Sequence, residues 1–139
     1  MILNYKSTHE TEQCVDSIEN LEQEENDVQI IIVDNDSQDG CVEHFRKIYK
    51  GKKYIHIIEN ENNAGFSRGN NIGYEYVYEN IKPDFLVMIN SDIECRQKDF
   101  LKRIKEIYTK THFFCTGTRC ICFSFEKYIR VLYVKVSRE

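Results

Sequence analysis

Two periodicities alternate along the chain. Val28–Val33 (VQIIIV) and Phe85–Ile89 (FLVMI) are apolar runs of strand length, as expected of strands covered on both faces, and Tyr54–Ile58 is a third. Ile2-Leu3-Asn4-Tyr5 is a shorter apolar start that reads as a strand lacking its first residues. Between these runs the apolar positions switch to helical spacing. Ser7 and Glu10 form an S-x-x-E capping box ahead of Cys14, Val15, Ile18 and Leu21. Val42, Phe45, Ile48 and Tyr49 mark the inner face of a second helix. Ser67 to Asn80, with Ile72, Tyr76 and Val77, marks a third, closed by Pro83. Phe100, Leu101, Ile104, Ile107 and Tyr108 mark a fourth. Strands alternating with helices predict an α/β fold, a mostly parallel sheet with helices on both faces and right-handed crossovers. Ligands of such sheets bind outside the carboxyl ends of the strands. The polar segments Asp34–Gly40, Glu59–Phe66 and Asn90–Asp92 all fall at that edge.

Composition narrows the classes. A chain of 139 residues has room for one domain, and its 41% hydrophobic and 30% charged residues suit a globular protein. The net charge of −4 carries no basic block, so no nucleic-acid partner is expected. A phosphate-bearing ligand would instead need a cation to offset repulsion. No apolar run reaches the roughly 18 residues of a membrane span, and the first residues lack the pattern of a signal peptide, so the expectation is a cytoplasmic protein. Cys14, Cys41 and Cys95 are scattered through helices and loops, which fits a reducing compartment better than a disulfide framework. Cys115, Cys120 and Cys122, with His112 nearby, do not have a zinc-site spacing.

The loops carry the candidate chemistry. Asp34, Asp36 and Asp39 follow the second strand, and both turn formation and ligand binding account for them. Asp34 directly ends a buried strand, where a carboxylate can accept from a ribose hydroxyl or a base N–H. Asn90-Ser91-Asp92 delivers Asp92 to the same edge. Asn90 lies two residues earlier on the same side, a placement suited to a hard divalent cation that keeps several waters; a helix cap is the alternative. Gly65 lies ahead of a helix whose first turn holds Arg68, which suits an anion at free N–H groups or simply a positive φ angle.

Ile2–Tyr5, Ile32–Gly40, Asn62–Phe66 through Asn70–Gly73, and Met88–Asp92, in this order, resemble the family 2 glycosyltransferases of GT-A (Rossmann-like) fold. The likeness is nearest to the bacterial rhamnosyltransferase-like branch of surface polysaccharide synthesis, and it runs over residues 1–110. It implies transfer of a sugar from a nucleoside-diphosphate sugar to a glycan or lipid-linked acceptor, with Mg²⁺ or Mn²⁺ as cofactor and peripheral membrane association through the acceptor. It further implies that Asn4 and Tyr5 border the nucleotide, that Asp34 contacts base or ribose with Asp36 beside it, and that Gly65 and Arg68 lie near base or phosphate. Asn90-Ser91-Asp92 stands where the family has D-x-D, so Asp92 would bind the metal and Asn90 replaces the first aspartate. No residue after Asp92 matches the family's acceptor base; a non-catalytic remnant that binds nucleotide is the competing expectation. A nucleotidyltransferase is disfavoured because Asn4–Thr8 (NYKST) has no glycine.

Residues 111–139 break the alternation and read as an aberrant tail on a truncated domain. Codons compatible with Phe114–Cys122 (FCTGTRCIC), read one base later, give Phe-Val-Leu-Gly-Pro-Asp-Val-Phe-Val. This resembles a Gly-Pro-Asp strand of the family, and the expectation is a tail encoded in a shifted frame. A divergent C-terminus that adds a strand to the sheet is the alternative.

Overall fold

A computed structural model describes residues 1–23, 27–111, 115–116 and 130–134. The chain runs β1 (Ile2–Asn4), α1 (Thr8–Glu19), β2 (Ile30–Asp34), α2 (Cys41–Ile48), β3 (Ile55–Glu59), α3 (Gly65–Asn80), β4 (Phe85–Asn90), α4 (Phe100–Thr111), β5 (Cys115–Thr116) and β6 (Arg130–Val134). The strands form one sheet of order β3-β2-β1-β4-β6-β5, and each pairing is parallel. The α/β fold with a mostly parallel sheet, expected from the alternation, is the fold observed.

Side chains alternate across a strand, so each apolar run supplies two cores at once. Ile30 and Ile32 of β2 join Ile2, Val15, Ile18, Val42 and Phe45 beneath α1 and α2. Ile31 and Val33 join Met1, Tyr74, Val77, Leu86 and Met88 beneath α3. This double burial is why β2 has no polar alternation: all its residues are buried.

Several local expectations shift. The second and third strands end one residue later than predicted, at Asp34 and Glu59. Tyr54 stays outside β3, its carbonyl accepting from Ile30 N–H at 2.8 Å. The third helix starts at Gly65, two residues early, because Asn63 Oδ1 accepts from Gly65 N–H at 2.9 Å. Ile48, read as an inner-face position, and Ile107, read as part of the apolar pattern of the fourth helix, are 41% and 48% exposed. In the tail, the backbone of β6 pairs with β4 from Phe85↔Arg130 to Ile89↔Val134. The cluster of His112, Cys120 and Cys122 lies outside the described residues, as do the residues between β5 and β6.

Gly69 and Gly73 set how closely α3 approaches the sheet. A Cβ on Gly69 would lie 2.8 Å from Leu3 Cδ1, and one on Gly73 would lie 2.7 Å from Val33 Cγ2 and against Met1 Sδ. Neither glycine needs a positive φ; each is required by the absence of a side chain. In a free helix Gly→Ala gains about 0.8–1 kcal/mol, whereas overpacking a rigid core costs about 1–3 kcal/mol. Val33 is fully buried, so the second effect is expected to win. Gly73→Ala should lower the urea midpoint, and a raised midpoint would show that α3 is free to move away from β2.

Candidate functional site

The parallel register puts Asn4 and Asp34 side by side, as Cα partners at the carboxyl ends of β1 and β2. Both follow apolar residues two positions earlier, so both point toward α1 and α2. Asn4 is fully buried and Asp34 is 2% exposed. A carboxylate so placed needs donors, and it has them. Oδ1 accepts from Asn4 Nδ2 at 2.7 Å, from Ser37 Oγ at 2.5 Å and from Cys41 Sγ at 3.1 Å. Oδ2 accepts from Ser37 N–H at 3.0 Å. Burial pushes the Asp34 carboxyl up, but these hydrogen bonds outweigh it and hold the group below its ordinary value. Burial first, and then the Asp39 and Asp34 carboxylates, push the Cys41 thiol up to about 12. At neutral pH Cys41 is therefore a thiol donor and no nucleophile.

Asn4 Oδ1 accepts in turn from Thr11 Oγ1 at 2.8 Å and from Ser7 Oγ at 3.2 Å. The predicted capping box is replaced: Ser7 precedes α1 but makes no side-chain cap bond. Its hydroxyl lies 3.1 Å from Ser91 Oγ in the loop after β4. Lys6 N–H donates to Ser37 Oγ at 2.9 Å and closes the turn after β1 over the turn after β2.

On the other face, Asn35 ties in the Gly65 segment. Its N–H donates to the Asn4 carbonyl at 2.9 Å. Its Oδ1 accepts from Asn60 Nδ2 and Ala64 N–H, and its Nδ2 donates to Asn63 Oδ1. Asn60 is 6% exposed, and its Oδ1 has no partner. The three polar loops predicted from sequence thus meet at one edge, through Asn4, Ser7 and Asn35.

Of the sequence-predicted residues, Asn4 and Asp34 form the buried floor. Tyr5 is 46% exposed at the rim, with Lys6 Nζ 5.5 Å from its ring centroid. Asp36 is half-buried at φ 64°, its Oδ1 accepting from Gln38 Nε2. Gly65 has φ 75° and, like Arg68 one turn on, is exposed. Asn90 is half-buried and Asp92 exposed. Asp39 serves the turn, its Oδ1 accepting from Cys41 N–H at 3.1 Å. Ser7, Asn35, Ser37, Cys41 and Asn60 carry much of the network, and their sequence signal amounts to polar residues in turns. Among the described residues no cluster of three or more His, Cys, Asp or Glu could hold a metal ion, and no helix is long and apolar enough to cross a membrane. A cavity of about 530 Å³ lies at the opposite, amino edge, where β2 and β4 extend past the start of β1. Its lining mixes apolar side chains such as Ile18, Leu21, Val28 and Ile104 with Asp27, Lys82 and Asp84; the convergent hydrogen-bonded groups around Asp34, and not this cavity, mark the site.

Residues 1–134 match the family model described as "Glycosyl transferase family 2". The chain is 27% identical over 109 residues to the low-salt glycan biosynthesis hexosyltransferase Agl10 of Haloferax volcanii, a match covering 78% of this chain and 31% of that protein. The crystal structure of S. aureus TarS 1-349 in complex with UDP-GlcNAc superposes with a TM-score of 0.64 at 18% identity, over 88% of this chain and 36% of that one. The chain therefore shares the TarS fold and spans about a third of each of these proteins.

Asn4→Asp tests the electrostatics of the floor. A second carboxylate against Asp34 cannot ionise cheaply, so one of the two should bind a proton more tightly when folded than when unfolded. A raised folded-state pKa gives stability below the unfolded value that is lost as pH rises through the folded one. The variant should therefore fall about 2–4 kcal/mol below the parent at pH 7 and recover much of this by pH 4.5, where an acid O–H replaces the amide donor. Urea unfolding at both pH values checks this; an equal deficit at both would place the two side chains apart.

Proposed function

The chain belongs to glycosyl transferase family 2, and on that premise we propose that its carboxyl edge binds the nucleoside diphosphate of a sugar donor, with a divalent cation, for transfer to an acceptor hydroxyl. The observation that carries the reading is the Asn4–Asp34–Ser37 floor: an ionised carboxylate held rigid at the ligand edge of a parallel sheet. Asp34 Oδ2 receives one protein donor against three at Oδ1, which leaves it capacity for a base N–H or ribose hydroxyl. Tyr5, exposed beside it, offers a ring face for the base. Arg68 and the N–H groups at the start of α3 offer positive potential for an anionic group. The binding of UDP-GlcNAc by TarS is consistent with a nucleotide sugar as ligand.

The residues at the carboxyl end of β4 suit a cation of one kind. Asp92, Asn90 and Ser91 present a carboxylate, an amide oxygen and a hydroxyl, all hard oxygen donors. One carboxylate cannot form an all-protein cage, but it suits Mg²⁺ or Mn²⁺ shared with waters and phosphate oxygens. Such an ion would stabilise charge on the departing diphosphate. In transfer, the acceptor oxygen bonds to the anomeric carbon as the bond to the diphosphate oxygen breaks, and the hydroxyl proton passes to a base. Asp34 holds the nucleoside end still while this happens. Nucleotide binding is proposed for the residues described; transfer needs in addition a group that takes the acceptor proton. A glycan or lipid-linked acceptor, as in surface polysaccharide synthesis, belongs to that second part of the proposal, as does association with a membrane through it.

Titration calorimetry with UDP, with and without Mn²⁺, separates the two ends. Asp34→Ala should weaken UDP by about 1.5–3 kcal/mol under both conditions. Asp92→Asn should remove only the Mn²⁺-dependent gain. If Asp34→Ala mattered only with Mn²⁺, Asp34 would belong to the phosphate end; equal affinity of Asp92→Asn and parent with Mn²⁺ would sink the cation assignment.

A further inference from the structure

Ser7 has the sequence of a helix cap, yet its hydroxyl is turned away from the helix it precedes. It lies 3.2 Å from Asn4 Oδ1 and 3.1 Å from Ser91 Oγ. Asn4 Oδ1 can only accept, whereas either hydroxyl of the serine pair can donate. With the single hydrogen of Ser7 on Asn4, Ser91 donates to Ser7. The Asn4 amide continues the same polarity, accepting at Oδ1 and donating from Nδ2 to Asp34 at 2.7 Å. The donors then run in one direction, from Ser91 through Ser7 and Asn4, and end on the Asp34 carboxylate. Bonds in such a chain polarise one another, and a terminal charge favours this direction over the reverse. The links are side chains from β1, the α1 cap, β2 and the loop after β4, so the chain spans the site from the Asp34 end to the Asp92 end.

We propose that Ser7 is a positioning residue that couples nucleoside recognition at Asp34 to cation binding at Asn90-Ser91-Asp92. The inference rests on the roles proposed above for Asp34 and Asp92. A cation held by Asp92 fixes the position of Ser91 next to it. The Ser91 hydroxyl fixes the rotamer of Ser7, Ser7 fixes the plane of the Asn4 amide, and that amide holds the Asp34 carboxylate toward the nucleoside. The coupling is reciprocal, so the nucleoside tightens the cation by the factor by which the cation tightens the nucleoside.

A ligand without phosphates isolates this route, because a cation cannot bridge directly from Asp92 to uridine. NMR titrations of the full chain with uridine in the presence of inorganic pyrophosphate, which supplies the phosphate oxygens separately, with and without saturating Mg²⁺, read the coupling through the protein; a parental factor of one would overturn the relay. Mg²⁺ should tighten uridine about fivefold in the parent chain. In Ser7→Ala the factor should fall to one, with Mg²⁺ still bound and the amide spectrum still that of a folded chain. Ser7→Thr, which keeps a hydroxyl, should restore it. Asp92→Asn separates the two levels of the proposal. If it abolishes Mg²⁺ binding while Ser7→Ala keeps the parental factor, the Ser7 relay is wrong and the site assignment stands. If Asp92→Asn binds Mg²⁺ as the parent does, or the parent binds no uridine, the site assignment fails and the relay falls with it.

Discussion

One buried hydrogen bond, from the Asn4 amide to the Asp34 carboxylate, organises the carboxyl edge of this sheet. An ionised carboxylate 2% exposed is tolerated only when donors replace the water it has lost. Here each donor comes from a segment that must be placed independently: β1 through Asn4, the turn after β2 through Ser37, and α2 through Cys41. The charge therefore fixes the relative positions of the elements that border the ligand edge, and the hydrogen bonds that satisfy it keep it ionised.

The bond exists because of strand register. Asn4 and Asp34 are partners across a parallel pairing, each two residues beyond an isoleucine of the core beneath α1 and α2. A slip of one residue would turn Asn4 to the opposite face and send Ile2 out of its core. The apolar packing that stabilises the sheet thus also aims the polar pair. On the other face Asn35 plays the matching part, and Gly69 lets α3 come close enough for this, since a Cβ there would lie 3.1 Å from Asn35 Oδ1. Packing and site geometry are set by the same few positions.

β5 and β6 lie in residues 111–139, where local periodicity breaks off. Sequence pattern alone located β1 to β4, the order of their loops and the edge at which they meet, because these follow from that periodicity and from the topology of parallel sheets. Asp34 at the end of VQIIIV was legible for that reason. Its depth was not: the burial of Asn4 and Asp34 depends on their pairing with each other, 30 residues apart, besides local partners such as Ser37 and Thr11. Ser7 shows the limit clearly. Its local signal is that of a cap, and the tertiary partner Ser91, 84 residues on, captures the hydroxyl instead. Gly69 and Gly73 are glycines spaced by four, and their reason is a contact with β1 and β2 that no local pattern encodes. Ile48 and Ile107 fit the helical period and are still exposed, since a period gives a face and not the width of what covers it.

The central claim is that the nucleotide seats on the Asn4–Asp34 floor and not in the cavity at the amino edge. Amide chemical-shift mapping of the chain during titration with UDP and Mg²⁺ tests it directly. The account predicts the largest shifts at Lys6, Asn35, Ser37 and Ser91, together with the Asn4 side-chain amide. Shifts concentrated instead at Val28, Phe85 and Leu101, around the cavity at the amino edge, would contradict it.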